Sequence, residues 1–188
     1  MAYLFFLLLS FVVTFSPAEN GDHNRVLFDF DKPDAVRVWR PVMDGVMGGR
    51  SSGQVRVNQY KNLEFSGNLS LENNGGFASI RASDAGLAME SGDTVVLRVR
   101  GDGRTYNFNV YTQRNMGGYS YRQSFPTSKG EWVDVELPVD KFVATWRGRN
   151  FRNQAFNPSA VAGLGILLGD KKPGSFKLEV ESISLKSK

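Results

Sequence analysis

The sequence predicts a single all-β domain: two antiparallel sheets packed as a β-sandwich of the jelly-roll kind. Three observations lead there. Apolar and polar residues alternate with period two in short segments that recur roughly every 8–14 residues. Helical periodicity is nearly absent after residue 20. Glycine is abundant at 20 residues and aromatic side chains make up 12%, a mixture that suits strands and tight turns. Alternation of this type marks strands with one face on a core and one in water. With 188 residues there is room for one domain and a core that needs no covalent staple. About ten or eleven strands are expected.

Taken in order, Val26–Phe30, Val36–Arg40, Gln54–Val57 and Leu63–Leu71 are the first strand candidates. Thr94–Arg100 sets Val95, Leu97 and Val99 on one face and Arg98 and Arg100 on the other. Tyr106, Phe108 and Val110 alternate with Asn107, Asn109 and Tyr111. Tyr119, Tyr121, Gln123 and Phe125 alternate with Ser120, Arg122 and Ser124. Val133, Val135 and Leu137 face one way, and Phe176, Leu178 and Val180 do the same near the end. Val161–Leu168 is apolar without alternation and reads as a strand covered on both faces, after one helical turn capped by Asn157-Pro158-Ser159. Asn73-Asn74-Gly75-Gly76, Asp102-Gly103 and Gly117-Gly118 supply positive φ angles for tight hairpins. Residues 19–24 and 186–188 are expected to fray.

Composition removes several kinds of chemistry. The chain has no cysteine, which excludes disulfides, thiolate metal sites and cysteine nucleophiles. His23 is the one histidine, too few for most zinc sites or His-based triads. No catalytic residue, metal or cofactor is assigned. The net charge of +4 is mild, and no run of like charge exceeds Lys171–Lys172, so nucleic acid is not an expected partner. Met1–Phe15 is apolar and uncharged, and Ser16-Pro17-Ala18 offers small residues after it. The reading is a signal peptide over residues 1–18 and a β-sandwich domain over 19–188. It places the protein in a secreted or periplasmic setting, with an anchor formed by residues 2–15 as the alternative.

Two constellations are candidate binding sites. The first is the glycine-rich stretch from Trp39 to Gly53, with Trp39, Met43, Asp44, Met47, Gly48, Gly49, Arg50 and Ser51 as the candidate residues. It reads as a partner-binding loop with methionine contacts, as an anion nest of glycine amides, or as a crossover packed into the core. It is no phosphate-binding Walker loop, because the Gly-Lys-Ser/Thr ending is missing. The second is a planar-donor face. Between residues 81 and 122 stand Arg81, Arg98, Arg100, Arg104, Arg114 and Arg122 and no lysine. Arg98, Arg100 and Arg122 with Asn107, Asn109 and Tyr111 are read as one surface of one sheet, suited to carboxylates, sugar hydroxyls or a partner's backbone. A solvated face of ion pairs is the competing reading. Asp44, Asp102 and Asp170 each adjoin glycine and read as turn chemistry.

The stretch Trp39 to Ser52, centred on Asp-Gly-Val-Met-Gly-Gly-Arg-Ser, resembles the complex I intermediate-associated protein family. Asn74-Gly75-Gly76-Phe77-Ala78-Ser79-Ile80-Arg81 and Arg100-Gly101-Asp102-Gly103-Arg104-Thr105-Tyr106 match next, followed by Leu137-Pro138 with Phe142, Arg147-Gly148, Gly165-Ile166 and Gly169-Asp170-Lys171. The resemblance spans about residues 26–185. It implies a galactose-binding-like jelly roll and a binding protein, since the family's best-known members assist the assembly of respiratory complex I in mitochondria. The leading expectation is therefore a non-catalytic, chaperone-like assembly factor with protein partners, membrane-associated ones included, in an exported or membrane-proximal setting. The alternative is a carbohydrate-binding module stacking a glycan on Tyr111, Tyr119, Tyr121 and Trp132. An oxidoreductase would need a helix after the glycine loop, and none is patterned there.

Overall fold

The computed structural model describes residues 24–83, 87–112 and 118–188. The leader-like segment, His23, Arg114 and Gly117 lie outside them. Thirteen strands are present among the described residues: β1 (Asn24–Asp29), β2 (Trp39–Met43), β3 (Ser52–Val57), β4 (Leu63–Leu69), β5 (Ala78–Ser83), β6 (Thr94–Arg100), β7 (Thr105–Tyr111), β8 (Ser120–Pro126), β9 (Trp132–Pro138), β10 (Val143–Trp146), β11 (Arg149–Phe151), β12 (Gly163–Leu168) and β13 (Gly174–Lys186). They form two antiparallel sheets. One runs β3-β4-β13-β6-β9, with β1 also on β13; the other runs β11-β10-β8-β7-β12-β5-β2. The all-β sandwich is as expected, with two to three strands more.

Alternation builds the core. Val95, Leu97 and Val99 of β6 face Tyr106, Phe108 and Val110 of β7 across the sandwich, all fully buried. Each such side chain removed from water contributes about 1.5–3 kcal/mol. β12 lies between β5 and β7 in the interior of its sheet, and Leu164, Ile166 and Leu168 are fully buried. In β13 the buried positions shift from Phe176, Leu178 and Val180 to Ile183 and Leu185. A register shift between Val180 and Ser182 causes the change of parity, since one extra residue turns every following side chain to the other face.

Four local expectations need correction. Pro33–Val38 is a 3-10 segment rather than strand, because Pro33 fixes the opening dihedral and Ala35 N–H closes on Lys32 O at 3.0 Å. β5, β10 and β11 were not expected. β5 is short and dominated by small residues, and β10 and β11 join through Arg147-Gly148, whose φ angles of 49° and 77° make a two-residue hairpin. Asp102-Gly103 makes no hairpin: it carries the chain from β6 in one sheet to β7 in the other. The ends do not fray at Asn24 and Lys186, which pair with each other in β1 and β13.

Candidate functional site

The outer face of the seven-stranded sheet carries a groove of about 740 Å³. Beneath it runs one cross-strand row, Arg81 on β5, Gly165 on β12, Asn109 on β7 and Arg122 on β8, of which the two arginines line the groove while Gly165 and Asn109 are buried under it. Gly165 matters because it has no side chain. A Cβ there would lie 2.9 Å from Ile80 O, 3.2 Å from the Tyr111 ring and 3.4 Å from Arg81 Cγ. Without it, Tyr111 and Arg81 lean over the row, the guanidinium 5.2 Å from the ring centre. Arg122 Nε donates to Asn109 Oδ1 at 2.8 Å. Arg81 Nε and Asn109 Nδ2 are buried without a hydrogen-bond partner.

The electrostatics of this floor are one-sided. Burial, reinforced by the like charge of Arg81, lowers the Arg122 pKa from the usual guanidinium value, although Tyr111 opposes the shift. Burial raises the Tyr111 phenol pKa, more than the two neighbouring guanidinium groups lower it. Arg147 and Lys171 add two more cations to the lining, and no carboxylate belongs to it among the described residues. Val46, Met47 and Trp146 form an apolar rim, 75%, 59% and 44% exposed.

The glycine-rich stretch fastens the part of that rim formed by Val46 and Met47. Asp44 is inaccessible to solvent and opens a 3-10 turn, Asp44–Met47. Its carboxylate accepts Ser51 N–H at 2.9 Å, the Ser51 hydroxyl, Gly76 N–H at 2.7 Å and Phe77 N–H at 3.3 Å. Burial alone would raise the Asp44 pKa, but these four donors together outweigh it and leave the carboxyl below the usual carboxylate range. Gly49 and Gly75 are required by proximity: a Cβ would lie 2.4 Å from Asp44 Cγ and 2.6 Å from Asp44 Oδ2, respectively. Gly48 N–H and Gly49 N–H close on Gly45 O and Asp44 O. The anion held by this loop is thus the chain's own Asp44. Trp39 and Ser51 are buried, Met43 packs against the core, and Arg50 pairs with Glu72 at 2.8 Å in the open. Of the candidate residues in this stretch, Met47 reaches the groove, together with Val46, which sequence reasoning passed over.

The planar-donor face separates into two. Arg98 and Arg100 belong to β6, in the six-stranded sheet, whereas Asn107, Asn109, Tyr111 and Arg122 lie on β7 and β8 in the other. The single surface expected from the sequence is corrected accordingly, because alternation assigns a face and not a sheet. Arg98 pairs with Asp134 at 3.1 Å and Glu181 at 3.6 Å. Arg100 pairs with Glu179 at 2.8 Å and lies 4.9 Å over Trp132. The aromatic platform also disperses: Tyr111 and Tyr121 are buried, Trp132 is on the opposite sheet, and Tyr119 packs edge-on against Phe151 at 5.1 Å. Sequence reasoning left Arg81 and Gly165 out of the candidate site. Both stand in the segments that carry the family resemblance, which is the signal that points to them.

A family model described as complex I intermediate-associated protein 30 matches residues 28–180. The chain belongs to the complex I intermediate-associated protein 30 family. Among curated members, the mitochondrial protein of that name from Drosophila melanogaster is 26% identical over 93% of this chain and 65% of its own length. The one from Mus musculus is 27% identical over 86% of this chain and 56% of its own. The chain thus spans between half and two thirds of these relatives. Among solved structures, a family 11 carbohydrate-binding module from Clostridium thermocellum, in complex with a mixed-linked tetrasaccharide, superposes with a TM-score of 0.67 at 14% identity, over 87% of this chain and 95% of that one. A family 30 carbohydrate-binding module from a cellulosomal cellulase of the same organism gives 0.56 at 13% identity, over 88% and 98%. These likenesses establish a shared jelly-roll fold. The expectation of a secreted or periplasmic protein is overturned, because the complex I intermediate-associated protein 30 relatives are named as mitochondrial. The physical reason is that a short apolar run is a composition, and composition alone does not fix the destination at which it is read. Among the described residues no helix is long and apolar enough to cross a membrane.

Proposed function

We propose that this chain is a mitochondrial, non-catalytic assembly factor that holds a subunit or intermediate of respiratory complex I in the groove of its seven-stranded sheet. Membership of the complex I intermediate-associated protein 30 family carries this reading. The geometry supports a docking surface. An apolar rim of Val46, Met47 and Trp146 stands over a polar floor, and the turn that carries Val46 and Met47 is tied down by the hydrogen bonds of the buried Asp44 carboxylate. Exposed apolar side chains beside polar groups are the usual make-up of a partner-binding patch. A chaperone-like role follows if the contact is released once assembly is complete.

The test is affinity capture of the tagged full-length chain from detergent-solubilised mitochondria, with co-purifying proteins identified by mass spectrometry. Complex I subunits are expected with the wild type and are expected to be lost with Met47→Asp at an unchanged melting temperature. Undiminished capture by Met47→Asp would remove the rim from the contact, and absence of complex I subunits from the wild-type capture would refute the assembly role. The carbohydrate-binding modules with the same fold leave a glycan as the second reading. Its check is titration of mixed-linked β-glucan against tryptophan fluorescence, where no response is expected.

A further inference from the structure

The groove's floor carries charge that the described residues leave unbalanced. Four arginines of the strands elsewhere are matched by carboxylates: Arg56 with Glu64, Arg98 with Asp134, Arg100 with Glu179, and Arg104 with Asp170. Arg81 and Arg122 have no carboxylate partner among the described residues, and both point into the groove that Arg147 and Lys171 also line. A buried cation beside another cation costs stability unless an anion arrives. The two backbones are three interstrand steps apart, about 14 Å at ~4.8 Å per step, with Gly165 and Asn109 between them. That spacing lets two long side chains converge on one bound group from opposite sides. The donors left over are of the right kind: guanidinium N–H groups, and the unpartnered amide of Asn109 beneath them. Planar forks of this type recognise carboxylates bidentately.

We propose that the groove takes an acidic peptide segment of the protein partner, with one carboxylate seated between Arg81 and Arg122 and a neighbouring apolar side chain resting on Met47 and Trp146. This rests on reading the groove as the protein-docking site, and it names the chemistry of what docks. Charge complementarity selects the occupant: among the described residues, four lining cations and no lining carboxylate match an acidic segment. The apolar rim and a volume of about 740 Å³, well beyond a single anion, match a peptide.

The experiment has a protein arm and a peptide arm. In the first, wild type, Met47→Asp and the double variant Arg81→Gln/Arg122→Gln are used for capture from mitochondrial extract at low and high salt. In the second, overlapping peptides of the captured subunit are titrated against wild-type protein, each acidic peptide beside its Asp→Asn, Glu→Gln counterpart, with inorganic phosphate as competitor. Expected are salt-sensitive capture, loss of capture by the double variant, and a roughly thirty-fold weaker affinity for the amide peptide, equal to about 2 kcal/mol at 1.4 kcal/mol per tenfold. If Met47→Asp loses capture while the double variant keeps it and amide and acidic peptides bind alike, the carboxylate site is refuted and the docking groove stands. If neither variant loses capture, both fall. If phosphate competes as well as the acidic peptide does, the site takes a free anion and the peptide proposal is overturned. The peptide arm uses unaltered protein, so a folding defect in the double variant does not decide the outcome.

Discussion

Asp44→Asn is the most informative single change. The two side chains have nearly the same shape, so the change isolates charge and hydrogen-bond polarity. Asp44 Oδ2 takes Gly76 N–H, Phe77 N–H and the Ser51 hydroxyl, and Oδ1 takes Ser51 N–H. The best placement of an amide keeps its oxygen on the Oδ2 side and sets its NH₂ against Ser51 N–H. Ser51 N–H and the new NH₂ then face each other as donors, leaving at least one buried group unpaired at about 1–3 kcal/mol, and three bonds lose the extra strength of a charged acceptor, about 1 kcal/mol each. Relief from burying a charge returns part of this. A net loss of about 3 kcal/mol is expected, which lowers Tm by about 6–12 °C in a domain of this size. The assay is thermal and urea unfolding followed by far-UV circular dichroism and by tryptophan fluorescence, to which the buried Trp39 reports. The pH dependence fixes the sign. Because the folded carboxyl has a depressed pKa, its stabilisation is fully present above the unfolded value of about 4 and is lost as pH falls below it. The gap between wild type and Asp44→Asn is therefore constant near neutrality and narrows below about pH 4. A gap under about 1 kcal/mol at pH 7, or one that persists undiminished in acid, would refute the role given to this carboxylate.

Gly49→Ala puts a methyl 2.4 Å from Asp44 Cγ, and a loss of about 2 kcal/mol or more is expected in urea unfolding. Arg104→Met removes the partner of Asp170, held at 2.6 and 3.0 Å with both side chains about nine-tenths buried, and should cost about 3–5 kcal/mol. The Asp170 carboxyl is raised by burial and lowered further by Arg104, so this loss too should shrink in acid. By contrast, Glu72→Gln breaks an ion pair whose partners are each more than 60% exposed, and its effect should stay within about 0.5 kcal/mol at any salt concentration.

How much of this protein its sequence determined differs between fold and site. Period-two alternation marked the core faces of β6, β7, β8 and β13 correctly, because a strand's two faces are set by chemistry local to it. The apolar run at β12 announced a strand inside a sheet; its inner face, Leu164, Ile166 and Leu168, is fully buried, whereas Leu167 on the outer face is half-buried and lines the groove. β10 and β11 were missed since three- and four-residue strands carry too few alternations to register. The motif around Asp44 was visible as unusual, yet its occupant was not: the donors of Gly76 and Phe77 come from 32 and 33 residues away. What only the tertiary structure decided is which sheet each strand enters. That choice placed Arg98 and Arg100 among carboxylates on one side of the sandwich. It brought Arg81 and Arg122 to the other side with no carboxylate partner among the described residues, across a glycine whose missing side chain matters only through the strands beside it.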